Sequence, residues 1–313
     1  MPATVRALRD TSAYGATPVE HLRRTRRLLI DSDNLLGPRQ ALDAVRTHVQ
    51  VIQELRREAR GADRRDLTEL ATQYAEFLSW LHQDSGDTTA ASDWLDRALD
   101  WSYTVGDRDL TTYVLARKAQ LAADTADPAG AVDLAEAAHR MARPRSRPAA
   151  VARTYGAYGH ALRGESAASE RAIDEVRGSL DGIADDPTPW GVWLNSSYVE
   201  IHRARSLQAL GRHARAATAF AAAIRLLPDG YHRDRGVYLA RQAVSLAAAG
   251  SPQHAAATGL RALTVAGETG SGRITTELAR LDRSLVRWHP ADEVAEFRAA
   301  FASTLRRAPE TDS

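Results

Sequence analysis

The stretch 209-ALGRHARAATAFAAAIRLLP-228 reads as the end of one helix, a tight turn at Gly211, a second helix and a stop at Pro228. Gly211 supplies the left-handed residue that commonly ends a helix. Pro228 cannot continue the second helix, because it has no N–H to donate and its ring blocks the preceding turn. Between them Ala216, Phe220 and Ala223 fall at spacings of four and three, so they share one helix face. Two alanines on that face let a neighbouring helix approach closely, which is what helix-on-helix packing needs.

The same pattern recurs along the chain, with turns at 84-DSGD-87, 124-DTAD-127, 162-LRGE-165 and 249-AGSP-252. The five segments align on Gly86, Ala126, Gly164, Gly211 and Gly250. Seven residues before each turn stand Ser79, Ala119, Ala157, Ala204 and Ala243; five after it, Ala91, Ala131, Ser169, Ala216 and Ala255; twelve after it, Ala98, Ala138, Val176, Ala223 and Ala262. All fifteen are small or β-branched. In 209–228 the residues Gly211, Ala216, Phe220, Ala223 and Pro228 stand where the tetratricopeptide pattern has Gly, Ala, Phe or Tyr, Ala and Pro, so this segment resembles a tetratricopeptide repeat. The turns lie about 40 residues apart rather than the usual ~34, so helices or loops are longer than standard.

The fold expected is therefore all-α: a tetratricopeptide-like helical repeat solenoid of about five helix pairs, plus N-terminal helices and a C-terminal cap. The pairs are placed at 67–83 and 88–104, 109–123 and 128–142, 147–162 and 166–180, 195–210 and 213–227, and 234–249 and 252–268. A last pair, 272–287 and 291–306, lacks the small-residue pattern and is read as the cap. Residues 1–62 are expected to form an N-terminal helical segment, 63–306 the array with its cap, and 307–313 a disordered tail. In the N-terminal segment, Val19, Leu22, Leu29 and Ile30 mark one amphipathic helix; Leu42, Val45, Val49, Ile52 and Leu55 mark another. Asp31–Gly37 between them is read as a polar turn; Leu35 and Leu36 stand where a calcium loop needs oxygen and glycine.

Composition narrows the function. The chain has 313 residues, and 41 Lys+Arg nearly balance 40 Asp+Glu, which argues against a polyanion-binding protein. Lys118 is the only lysine. There is no cysteine, which excludes disulfides, thiolate metal sites and cysteine nucleophiles. No apolar run approaches the ~20 residues that span a bilayer. A cytoplasmic protein is expected.

From residue 18 to 301 the chain resembles the C-terminal region of actinobacterial transcriptional regulators of the XRE class. The resemblance is carried by 19-VEHLRRTRRLLIDSDNLLG-37, 74-YAEFLSWLHQDSGD-87, 113-YVLARKAQLAADTADP-128, 231-YHRDRGVYLARQA-243 and 268-ETGSGR-273. It implies a sensor array that binds a ligand or partner behind a DNA-binding helix-turn-helix domain. Only 17 residues precede Pro18, too few for that domain, so no direct nucleic-acid binding is expected.

No GxxxxGK[ST], HExxH or GxSxG motif is present, and neither a catalytic residue, a metal site nor a cofactor is expected. Gly270–Arg273 reads chiefly as a helix end followed by a helix start, with an anion at that start as the alternative. A binding reading finds more. In repeats of this type the first helix of each pair lines the concave face. Counting back from each turn gives Trp80, Gln83, Tyr113, Arg117, Gln120, Tyr158, Tyr198, Arg205 and Arg241 as candidate ligand-binding residues. Arginine and tyrosine offer directional, charge-assisted hydrogen bonds, suited to a peptide, a small metabolite or a protein partner. A homodimer and an enzymatic alternative stay open; the latter would draw on Glu76, Asp84 and His202 as acid–base groups, with Tyr158 or Arg117 stabilising charge.

Overall fold

The computed structural model describes residues 17–288 and 291–307, and among these it contains fourteen α-helices and no strand. They are α1 Pro18–Leu36, α2 Pro38–Glu58, α3 Gly61–Ser85, α4 Thr88–Val105, α5 Arg108–Asp124, α6 Pro128–Met141 and α7 Arg147–Leu162. The remainder are α8 Ser166–Ile183, α9 Ser196–Ala209, α10 His213–Arg225, α11 His232–Ala248, α12 Pro252–Thr269, α13 Gly272–Leu285 and α14 Asp292–Arg307. The expected tail, beyond Arg307, lies outside the described residues. No helix is long and apolar enough to cross a membrane, and no group of three or more His, Cys, Asp or Glu could hold a metal ion, among the described residues.

The turn grammar has a direct physical basis. Gly86, Ala126, Gly164, Gly211 and Gly250 all have positive φ, between 63° and 90°. Ala126 does this without being glycine. Acidic residues after two of these turns cap the next helix: Asp87 accepts from Ala90 N and Asp127 from Gly130 N; Asp107, after Gly106 between the first two pairs, does the same with Asp109 N and Leu110 N. The fifteen small positions are all buried, none more than 2% exposed. They sit where paired helices touch, as at α3 with α4, α5 with α6, α9 with α10 and α11 with α12.

The N-terminal helices continue the stack. Thr17 and Glu20 form a reciprocal capping box at the start of α1. Leu22 of α1 and Val45, Val49 and Ile52 of α2 share one apolar cluster with Leu70, Tyr74, Leu78 and Leu81 of α3. The polar turn expected at Asp31–Gly37 is corrected: α1 runs through Leu36, and Gly37 alone, at φ 87°, turns the chain into α2. Asp33 is held inside the helix because its carboxylate is buried against Arg233 of α11.

That contact belongs to a larger feature. The odd-numbered helices from α3 onward line the inside of the array, and the last of them, α13, packs back onto α3. Helix α1 touches α11 and α12. The array therefore closes on itself into a ring. Three apolar clusters hold it together, drawn from residues 22–81, 75–199 and 201–301, and none of them bridges the first and last helices.

Candidate ligand-binding inner wall

The helical repeat places the candidate residues on the wall facing the ring's interior. On α5, Tyr113, Arg117, Gln120 and Asp124 stand one or two turns apart; on α9, Tyr198, His202 and Arg205 do the same. These stripes meet the inner faces of α3, α7, α11 and α13, and their side chains interlock.

Glu76 and Asp124 are the hubs. Glu76 accepts from Arg117 Nε at 3.0 Å and from Tyr113 Oη at 3.1 Å, and Arg26 of α1 approaches it at 3.7 Å. Arg117 also donates to Gln120 and lies flat over the Trp80 ring, 3.4 Å from its centroid. A desolvated cation on a Trp face is worth about 2 kcal/mol. Asp124 accepts from Gln83 Nε2 at 2.8 Å, from Gln120 and from Arg205 of α9, which crosses the interior to reach it. Arg205 in turn lies 4.0 Å over the Tyr158 ring. Arg241 pairs with Glu277 of α13 at 3.1 Å. Eight of the nine candidates thus join one continuous network, through hydrogen bonds or ring contacts. Arg241 stands beside it and acts on Asp124 through its charge.

An aromatic group closes one side. The Pro-rich segment after α8 folds inward, so that Trp190 stacks on Tyr113 at 5.9 Å and Trp193 lies 4.4 Å from Tyr198. Tyr155 and Tyr198 share a 3.0 Å hydroxyl hydrogen bond, and His202 stands against both rings. This segment is fixed from below. Arg147 donates to the carbonyls of Ile183, Ala184, Asp186 and Thr188, and Asp186 accepts from Arg143 and from the Arg147 backbone N–H. The stretch 143–147, which leads into α7, is therefore tied to the segment after α8.

Burial distinguishes this wall from an open groove. Arg117 is 0% exposed, and Gln83, Gln120, Tyr113, Arg205 and Arg241 are buried too, while Trp80, Tyr158 and Tyr198 are half-buried. The wall is filled by its own side chains. Several buried atoms have no hydrogen-bond partner within the protein: Gln83 Oε1, Arg117 Nη2, His202 Nδ1 and Ser206 Oγ. Burial raises Asp124's carboxyl, but Arg205 and Arg241 outweigh it and hold it below the usual range. Burial, reinforced by Arg205 and Arg241, pushes His202 well below the ordinary imidazole value, so it stands neutral.

The groups of the enzymatic alternative are dispersed. Glu76 is shared by Arg117 and Tyr113, His202 sits in the aromatic group, and Asp84 is engaged elsewhere, by Ser271 and Arg273. Sequence reading missed Asp124, Asp33 and Glu277 as parts of buried pairs. Asp124 begins the turn DTAD, and a turn aspartate ordinarily serves as a cap.

No family model and no curated protein matches the chain. Among solved structures it is similar to BtubC (BKLC) from P. vanneervenii, with 17% identity and TM-score 0.48, covering 73% of this chain and 91% of that one. It is also similar to a Signal Transduction ATPase with Numerous Domains (STAND) protein with a tetratricopeptide repeat sensor from Pyrococcus horikoshii, with 12% identity and TM-score 0.50. That match covers 91% of this chain and 45% of the other. The second likeness shows a helical repeat fold of the tetratricopeptide type.

Proposed function

We propose that this chain is a non-enzymatic regulatory or sensor protein that binds a peptide, a small metabolite or a protein partner on the inner wall of its helical ring. One observation carries the reading: the wall is built from buried charged and polar side chains, four of which keep unpartnered donor or acceptor atoms. Stability alone favours apolar packing there, since replacing buried ion pairs by hydrophobic residues is often neutral or stabilising by about 1–4 kcal/mol. Polar atoms kept dry and unpaired are the groups a ligand satisfies. The sensor role of the repeat in the Pyrococcus horikoshii protein supports the same assignment. So does the resemblance to the sensor regions of actinobacterial XRE-class regulators, and the chain acts in the cytoplasm on this reading.

The test is native mass spectrometry of the protein from its own cells, before and after mild denaturation. Arg117→Ala is a poor probe, because it leaves the Glu76 carboxylate buried without its closest cation. Gln83→Leu with His202→Phe removes two of the unpartnered atoms and keeps side-chain volume. The wild type is expected to release a bound molecule that the double variant, still helical by circular dichroism, has lost. Full retention by the variant refutes the inner wall as the site, and release of a chemically altered molecule turns the reading to an enzyme.

A further inference from the structure

The ring's seam is charged rather than apolar. From the N-terminal side come two carboxylates, Asp33 of α1 and Asp84 at the end of α3, 2% and 1% exposed. From the C-terminal side come Arg233 of α11 and, at the start of α13, Ser271 and Arg273. Asp84 Oδ1 accepts from Ser271 Oγ at 2.8 Å and from Arg273 Nε at 2.5 Å. Arg233 Nη1 donates to the Asp33 carboxylate and to its backbone carbonyl, and Arg233 Nη2 reaches Asn34 Oδ1 at 3.3 Å. Asp234, on the same side as the arginines, accepts from Arg273 Nη2 at 3.3 Å.

The start of α13 has no anion of its own. Its first turn carries no acidic residue, and the Ser271 side chain makes no capping hydrogen bond, because it donates to Asp84 instead. The positive end of a helix attracts an anion, and here the anion is a carboxylate from across the seam. The fit is incomplete: Arg233 Nε and Asp84 Oδ2, both buried, stand 3.4 Å apart and make no hydrogen bond. Two carboxylates facing two guanidiniums present the charge of one phosphate dianion, whose oxygens can accept from Ser271 Oγ, Arg273 Nε and Arg233 Nε together. Asp234 occupies only Arg273 Nη2 and leaves Nε to the anion.

We propose that Ser271, Arg273 and Arg233 form a phosphate-binding site that Asp84 fills in the closed ring, so that a phosphate-bearing small molecule competes with Asp84 and opens the seam. The site exists only when the first and last helices part. Its ligand therefore binds the open ring alone and shifts the population toward it. This inference goes beyond the inner-wall reading, and its test uses no inner-wall partner, so the two fail separately.

The probe is inorganic phosphate, with sodium chloride at matched ionic strength as control. The chain has no cysteine, so spin labels can be placed at Arg39→Cys and Gly267→Cys, both exposed and each two residues from a seam residue, Gly37 or Thr269. Phosphate is expected to lengthen the label distance in the otherwise native chain, and Ser271→Ala to weaken that response. By titration calorimetry, Asp84→Asn should bind phosphate about tenfold tighter than the wild type or better, since no carboxylate then competes. Adding Arg233→Gln should remove the gain. No lengthening at saturating phosphate, equal lengthening by chloride, or unchanged affinity in folded Asp84→Asn each overturns the proposal. If Asp84→Asn does not fold, the label distances in the chain that retains Asp84 decide it.

Discussion

Gly37→Ala is the sharpest mutational probe of the closed ring. Gly37 has φ 87° and ψ 171°, a backbone state almost restricted to glycine, and an alanine there costs about 1–3 kcal/mol. Its surroundings add more. A Cβ at Gly37 would stand 1.7 Å from the carbonyl oxygen of Thr269, the last residue of α12. Ordinary carbon–oxygen contacts begin near 3.3 Å, so the two backbones must separate by about 1.6 Å. Thr269 is two residues from Ser271 and four from Arg273, so that displacement draws both away from Asp84. Weakening one charged hydrogen bond costs about 1.5–3 kcal/mol. The expected loss is thus at least about 2.5 kcal/mol, the sum of the lower ends. Gly211→Ala is the control: its φ is 72°, nothing lies within 4 Å of an added Cβ, and only the left-handed cost of roughly 1–2 kcal/mol applies. Urea unfolding of the two variants side by side is the assay. If Gly37→Ala loses no more stability than Gly211→Ala, the seam is not closed as described.

Two further expectations concern the core and the pH response. Phe220→Ala removes a fully buried ring between α10 and its neighbours and should cost about 3–5 kcal/mol in the same assay; a loss under ~1 kcal/mol would contradict the packing at the repeat's aromatic position. His202, His82 and His139 are each pushed below the ordinary imidazole value, chiefly by burial, with arginines adding to it. The unfolded chain takes up their protons near pH 6.5 while the folded chain does not, so their contribution is complete above that pH and declines below it. Each contributes up to about 1.4 kcal/mol per pH unit to the slope. His202→Phe should remove one histidine's share between pH 6.5 and 5, and an unchanged slope would show that His202 titrates freely in the folded protein.

The array was legible in the sequence because its determinants are local. A left-handed turn residue, small residues at fixed offsets and a capping aspartate lie within one helix pair, so Gly211, Ala216 and Ala223 announce it without reference to the rest of the chain. The observed helices agree with the expected pairs to within a few residues, except that α3 starts at Gly61 rather than 67. The inner face was legible too, since helical periodicity assigns residues to faces. What stands opposite a face is not periodic. Arg205 meets Asp124 across 81 residues, and Arg233 meets Asp33 across 200. These pairings depend on the accumulated rotation of the array, which no single repeat encodes. For that reason a groove expected to receive a ligand proved to be occupied by its own side chains, and Gly37 and Gly272 gave no sign of being points of close backbone approach.

Closure of the ring is tested most directly by pulsed dipolar spectroscopy on the chain labelled at Arg39→Cys and Gly267→Cys, without added phosphate. These positions flank the contact between Gly37 and Thr269. A closed ring gives a single short and narrow distance distribution. A broad distribution at long distances, as an open superhelix would give, contradicts it.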